Sequence, residues 1–253
     1  MESKTNQTFF VAHEKEIMAL FNEINEGVKQ YLPSICDKTV AEAICSEAEG
    51  ELEKLIPQLP DIGDKSLELD NGVSSVAVGI AYYKSFKRRG ISIELLGKML
   101  YDLRTFQLNE MTEEQRKAIA DEMFSTKRLS EFKEWATWSQ KCLYPYNWMA
   151  YYIEGDGEEF DYGADYVECG VAKICHKFKA DELVPFICLL DLLESRSLGL
   201  GLVRTKTLAM GDNVCDFRFK RGRPTTQGWD TEIDKIRKLI SLPSYEPVLK
   251  GHL

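Results

Sequence analysis

From Glu14 to Leu32 the apolar residues Ile17, Leu20, Phe21, Ile24, Val28 and Tyr31 recur at intervals of three and four, which places them on one face of a helix that Pro33 ends. The same period returns four or five more times. It predicts a helix from about Thr39 to Leu55, closed by Pro57 and Pro60, and another starting at Val73 and turning basic at Lys84, Lys87, Arg88 and Arg89 before Gly90. Ser92 can cap the next, Thr112 with Gln115 has the form of a capping box, and Phe132, Trp135 and Trp138 mark a sixth. LPDIGDKSLELDNG, between the second and third, reads as loop. Residues 1–140 are therefore expected to be almost wholly helical.

The period changes after Pro145. Trp148 to Glu154 and Phe160 to Val167 are aromatic-rich and β-prone, and the acidic turn GDGEE between them suggests paired strands. Cys169 to Phe178 reads as a short helix, and Asp181 can cap a longer one with Pro185 tolerated in its first turn. Gly199 and Gly201 stop that helix, after which Leu202 to Leu208 and Val214 to Phe219 read as strands turning at Gly211-Asp212-Asn213. In this hairpin Cys215, Phe217 and Phe219 form the buried set, and Asp216 has Arg204 or Arg218 as an ion-pair partner. A last amphipathic helix surrounds Ile233, Ile236 and Ile240. The fold class is α+β: a mostly helical N-terminal half, and a C-terminal half with a small antiparallel sheet packed on helices. Residues 1–140 form the helical region and 141–253 the α+β region that carries the ligand or active site, the two expected as one compact unit.

Composition removes several function classes. With 32 basic against 41 acidic residues the net charge is −9, which leaves no cationic excess to displace counterions from a nucleic acid; the short cluster of Lys220, Arg221 and Arg223 reads as a solvated strand end. The polar start MESKTNQTFF has no signal-like apolar core and no stretch approaches a membrane span, so the expected location is cytoplasmic, with no membrane partner. Seven scattered cysteines, an odd number, fit reduced thiols. Three histidines, His13, His176 and His252, are too few and too dispersed for a multi-histidine metal centre or an evident serine triad.

No phosphate loop, dinucleotide fingerprint, HExxH or GxSxG stands in the chain. Reactive groups concentrate instead in the C-terminal half, from Cys169 to Asp216. Cys188 and Asp191, three apart on a predicted helix, share a face, where a carboxylate can activate water or orient a thiol; the plainer alternative is a small core residue beside a locally paired acid. Cys169 and Cys175 are spaced too widely for a zinc knuckle and no second pair completes it, so no metal site is expected. The residues name no cofactor and set no oligomeric state.

Three segments, LPDIGDKSLELDNGVSSVAVGIAYYKSFKRRGISIE, YIEGDGEEFDYGADYVECGVAKIC and RTKTLAMGDNVCDFRF, resemble the L-2-amino-thiazoline-4-carboxylic acid hydrolase-like family, over roughly residues 55 to 220. The closing GDNVCDFRF is also similar to the end of 4-vinyl-reductase-type domains, whose members bind hydrophobic or tetrapyrrole-like ligands. The first resemblance implies a hydrolase that adds water to a small cyclic amidine such as 2-amino-thiazoline-4-carboxylate, a C–N bond hydrolysis yielding a carbamoyl-cysteine. By that analogy Asp191 is the base, and Cys169 or Cys188 a nucleophile or metal ligand. Arg204 is the group for the substrate carboxylate, with Asp212 and Asp216 beside it as substrate-binding residues. The expected partner is a small molecule in a pocket between the two halves. The chief alternative is a non-enzymatic binding or sensor protein with Trp148, Tyr151, Tyr152, Phe160 and Tyr162 as an apolar wall, and a third is a scaffold using its acidic helices.

Overall fold

The computed structural model describes residues 7–63, 69–242, 245, 247 and 249. Its helical half comprises α1 (Gln7–Ala12), α2 (Glu14–Tyr31), α3 (Lys38–Leu55), α4 (Leu69–Arg88), α5 (Ile93–Glu110), α6 (Glu113–Met123) and α7 (Thr126–Ser139). β1 (Met149–Glu154), β2 (Tyr162–Glu168), α8 (Gly170–Lys177), α9 (Val184–Leu198), β3 (Val203–Arg204), β4 (Cys215–Phe219) and α10 (Trp229–Ile240) follow. The fold is α+β, with the antiparallel sheet confined to the C-terminal half. No helix among the described residues is long and apolar enough to cross a membrane.

α4 is the centre of the helical half, because small and apolar residues surround its axis. Val73, Ala77, Val78, Ile80, Ala81, Tyr82 and Phe86 are all buried, and a helix apolar all round has to be enclosed. It begins at Leu69, four residues before the expected Val73, so LELDNG is only partly loop; the preceding Asp64 to Glu68 lie outside the described residues. Tyr82 donates to Asn25 Oδ1 of α2 at 2.8 Å, giving the buried phenol its partner. α6 opens as expected: Gln115 N–H donates to Thr112 Oγ1 at 3.2 Å, while Thr112 N–H donates to Gln115 Oε1 at 2.8 Å. Ser92 precedes α5 without a side-chain cap.

The sheet order is β1-β2-β4-β3, every neighbour antiparallel. β2 pairs with β4 so that Tyr162 faces Phe219, Ala164 faces Phe217 and Tyr166 faces Cys215. The GDGEE turn is closed by Asp156, whose Oδ1 accepts from the N–H groups of Glu158, Glu159 and Phe160.

β3 is far shorter than the expected Leu202 to Leu208, and the residues that cut it short are its own acids. Asp216 Oδ1 accepts from Thr205 N–H at 2.8 Å and Lys206 N–H at 2.6 Å, and Asp212 Oδ2 accepts from Thr207 N–H at 2.9 Å. Side chains thus take backbone donors that a longer strand would use, and a 3-10 turn at Leu208–Met210 leads to left-handed Gly211. Asp216 consequently pairs with neither arginine; Arg204 pairs with Asp191 and Arg218 with Asp165. Asp181 likewise does not cap α9, since its carboxylate meets His176 Nδ1 at 2.9 Å. The basic cluster after β4 is tied down rather than free: Arg221 pairs with Asp121, and Arg223 donates to the carbonyls of Gly201, Glu159 and Arg218.

Candidate functional site

Period two along the strands determines what the sheet offers to the helices. Tyr162, Ala164 and Tyr166 of β2 and Cys215, Phe217 and Phe219 of β4 point to one side, where they meet α9, α7 and the first turns of α4 across a cavity of about 480 Å³. It therefore lies between the helical half and the sheet, and its size is that of a site for a drug-sized ligand. Most of the wall is apolar. Phe132 and Trp135 contribute from α7, Val76 from α4, and Trp148 from the residue before β1. Among the described residues the one buried side-chain nitrogen without a partner belongs to this wall: Trp135 Nε1, a donor of the kind that a bound acceptor satisfies.

Polar chemistry is gathered where α9 crosses β3. Cys188 and Asp191 share the inner face of α9, as their spacing requires, and both line the cavity with Cys169, Cys215 and Arg204. Arg204, 6% exposed, donates from Nη1 to Asp191 Oδ2 at 2.7 Å and from Nη2 to the Cys188 carbonyl at 2.8 Å. Its guanidinium carbon lies 5.0 Å from the centre of the Phe217 ring. Gln227 clamps the Arg204 backbone from both sides, accepting its N–H at 3.0 Å and donating to its carbonyl at 2.8 Å. The guanidinium thus gives two of its five N–H groups to Asp191 and the α9 backbone.

Asp191 differs, because 47% of its side chain is accessible and the space beside it is the cavity. α7, α9 and the sheet wall that space. Burial pushes the carboxyl above its ordinary range, Arg204 pulling it only partly back and Glu194 adding repulsion. The thiols are driven the same way. Burial raises Cys169 to about 12, although its sulfur sits at the N-terminus of α8 and accepts from Ala172 N–H at 3.5 Å. Cys188 rises by burial despite Arg204, and Cys215 despite the hydrogen bonds of Thr207 and Leu208. All three are protonated at neutral pH.

Of the residues expected to act on substrate, the structure brings together Cys169, Cys188, Asp191 and Arg204 and leaves out two. Asp216 serves the backbone of Thr205 and Lys206, and Asp212 lines a smaller neighbouring cavity of about 240 Å³ that shares Cys188 and Arg204 with the first. Within the expected aromatic wall only Trp148 and Tyr162 reach the larger cavity; Tyr151 is exposed, Tyr152 packs on Phe132, and Phe160 lies under Arg218. Phe132 and Trp135 had been visible only as a helical stripe. Arg128 and Glu194, also in the wall, carried no sequence signal beyond being charged residues in helices. His176 of α8 and Asp181, in the turn before α9, form a separate pair, and no group of three or more His, Cys, Asp or Glu among the described residues is placed to hold a metal ion.

A family model described as L-2-amino-thiazoline-4-carboxylic acid hydrolase matches residues 71–219. The chain belongs to that family. No curated protein and no solved structure matches it. The family stretch runs from the first turn of α4 to the last residue of β4, so every residue lining the larger cavity, from Gly72 to Phe219, falls inside it. The smaller cavity draws Gln227, Glu232, Lys235 and Ile236 from outside the stretch.

Proposed function

We propose that this member of the L-2-amino-thiazoline-4-carboxylic acid hydrolase family is itself a hydrolase that opens a cyclic amidine in the larger cavity, with Asp191 as the base. The observation that carries the reading is Asp191 itself: a carboxylate held by Arg204 on one oxygen, raised by burial and facing a mostly apolar cavity. A carboxylate so placed can hold an amidine and take a proton from water attacking the amidine carbon. The oxygen of water bonds to that carbon, Asp191 accepts one proton, and the tetrahedral carbon then expels ring nitrogen or ring sulfur. The expelled atom takes up the proton from Asp191, and the tetrahedral hydroxyl gives its own proton to the freed carboxylate, and from there to solvent, as the carbonyl of the open-chain carbamoyl product forms. Cys169 and Cys188 enter as wall rather than nucleophile, since burial keeps their thiols protonated.

The first experiment incubates the protein with 2-amino-thiazoline-4-carboxylate and other cyclic amidines and looks by mass spectrometry for the gain of one water. A thiol reagent then distinguishes cleavage at sulfur from cleavage at nitrogen. Asp191→Asn is expected to lower kcat by roughly 10²–10⁴-fold, the usual contribution of a positioned base. Activity needs the ionised carboxylate, so kcat/KM rises with pH through a limb lying above the ordinary carboxylate range, and Asp191→Asn removes that limb. Full turnover by Asp191→Asn sinks the assignment. The aromatic wall favours a second reading, a non-enzymatic binding protein; ligand-dependent stabilisation with no product formed from any cyclic amidine would select it.

A further inference from the structure

Two acids and two arginines line the larger cavity, and three of the four are paired. Asp191 is paired with Arg204 at 2.7 Å and Glu194 with Arg104 at 2.8 Å. Arg128 also lines the cavity and is half-buried, but among the described residues its guanidinium has neither an ion pair nor a hydrogen bond; only its backbone N–H is engaged, donating to Ser125 Oγ. It is the third residue of α7, whose first turn contains no acid, so the helix dipole opposes its charge there instead of compensating it. A half-buried cation without a partner, in the wall of a ligand-sized space, is what an anion would neutralise.

Arg128 lies toward the Tyr162 end of the sheet, because α7 runs along it with Trp135 near Tyr166 and, a turn earlier, Phe132 on Tyr152, which stacks with Tyr162. Tyr166 and Cys215 face each other at one end of the β2–β4 pair, where the charge of Asp191 acts on both. Tyr162 and Phe219 face each other at the other end, where the charge of Arg128 acts on Tyr162 against the rise that burial causes. Four steps along β4, from Cys215 to Phe219, span about 13 Å. The space between is walled by Ala164, Phe132 and Phe217.

We propose that Arg128 anchors an anionic group on the substrate, which is therefore an elongated molecule: a cationic amidine head at Asp191, an apolar body along the sheet and an acid tail at Arg128. The head rests on the function proposed above; the tail rests on Arg128 alone. A single five-membered ring acid, of about nine non-hydrogen atoms, is far smaller than the drug-sized ligands that cavities of this volume hold. Arg204 is no substitute for Arg128 because it is only 6% exposed and paired with Asp191, whose carboxylate is the more open half of that pair.

Titration calorimetry on the full chain tests this with two probes that differ only in the tail, an amidinophenyl-pentanoate and the matching amidinophenyl-pentanol. Wild type is expected to bind the acid about ten-fold or more tightly than the alcohol, the worth of one charged hydrogen bond. Arg128→Gln, which removes no partner among the described residues, is expected to abolish that preference by weakening the acid alone, and Arg128→Lys to retain part of it. Asp191→Asn weakens both probes alike. Equal affinities in wild type, a preference that survives Arg128→Gln, or failure of both probes to bind would each overturn the proposal. If Arg128→Gln removes the preference while Asp191→Asn changes nothing, the anionic anchor stands and the amidine head falls.

Discussion

Asp191 and the three cavity thiols share one environment, and it acts on each according to its chemistry. Exclusion from water disfavours any anion, so it raises a carboxyl toward the pH at which it is a useful base and raises a thiol away from the pH at which it is a nucleophile. This separates Asp191 from Cys169 and Cys188, which spacing along the chain could not do. It also predicts their reactivity. Cys142, exposed at the end of α7, is expected to react with iodoacetamide in the native protein, whereas Cys169, Cys175, Cys188 and Cys215 react only as fast as the protein unfolds. Peptide mapping by mass spectrometry after timed quenching measures each rate. A native-state rate for Cys188 or Cys169 exceeding that of Cys142 would show a thiolate and return the nucleophilic role to that residue.

Among the elements, those fixed by a local signal were legible in the sequence. The apolar period and Pro33 delimit α2 to within a residue, and the capping box of α6 forms with both its hydrogen bonds. The inward set of β4 was likewise readable from alternation, Cys215, Phe217 and Phe219 all reaching the cavity. β3 was not, because what shortens it is a set of side-chain hydrogen bonds to its backbone from Asp212, five residues on, and Asp216, ten and eleven residues on. Nor was the wall contributed by α7, since a stripe of Phe132 and Trp135 looks the same whether it packs on a core or borders a space. Glycines show the same dependence on context. A Cβ on Gly97 of α5 would sit 2.3 Å from a ring carbon of Phe186 of α9, whereas one on Gly50 of α3 meets nothing within 4 Å. Both helices gain propensity from alanine, by about 1 kcal/mol. Gly50→Ala is therefore expected to stabilise by about 0.5–1 kcal/mol, and Gly97→Ala, where overpacking outweighs propensity, to destabilise by about 1–3 kcal/mol. Denaturant unfolding of the two variants checks both signs.

At the scale of the molecule, the boundary near residue 140 divides secondary-structure types but not the core. One cluster of buried apolar side chains runs from Phe10 of α1 to Ile236 of α10, and α5 packs on α9 through Gly97 and Phe186. Ion pairs cross the same boundary: Arg104 with Glu194, Lys87 with Glu182 and Arg237 with Glu94. Each is partly exposed and contributes little alone, so the coupling resides mainly in the apolar contacts. Separating residues 1–140 would uncover α4, which is apolar on all sides, and would remove the sheet that closes the cavity. The two halves are accordingly expected to unfold together. Calorimetry should give a single endotherm whose van't Hoff and calorimetric enthalpies agree, and the far-ultraviolet dichroism of the helices should coincide with the fluorescence of Trp135, Trp148 and Trp229. Residues 1–140 expressed alone should show helix content without a cooperative transition, because the core that makes unfolding all-or-none is completed only by α8 and α9. Two resolved endotherms, or a sharp transition in the isolated segment, would establish two independently stable units, with the cavity then an interface that each unit could leave intact on its own side.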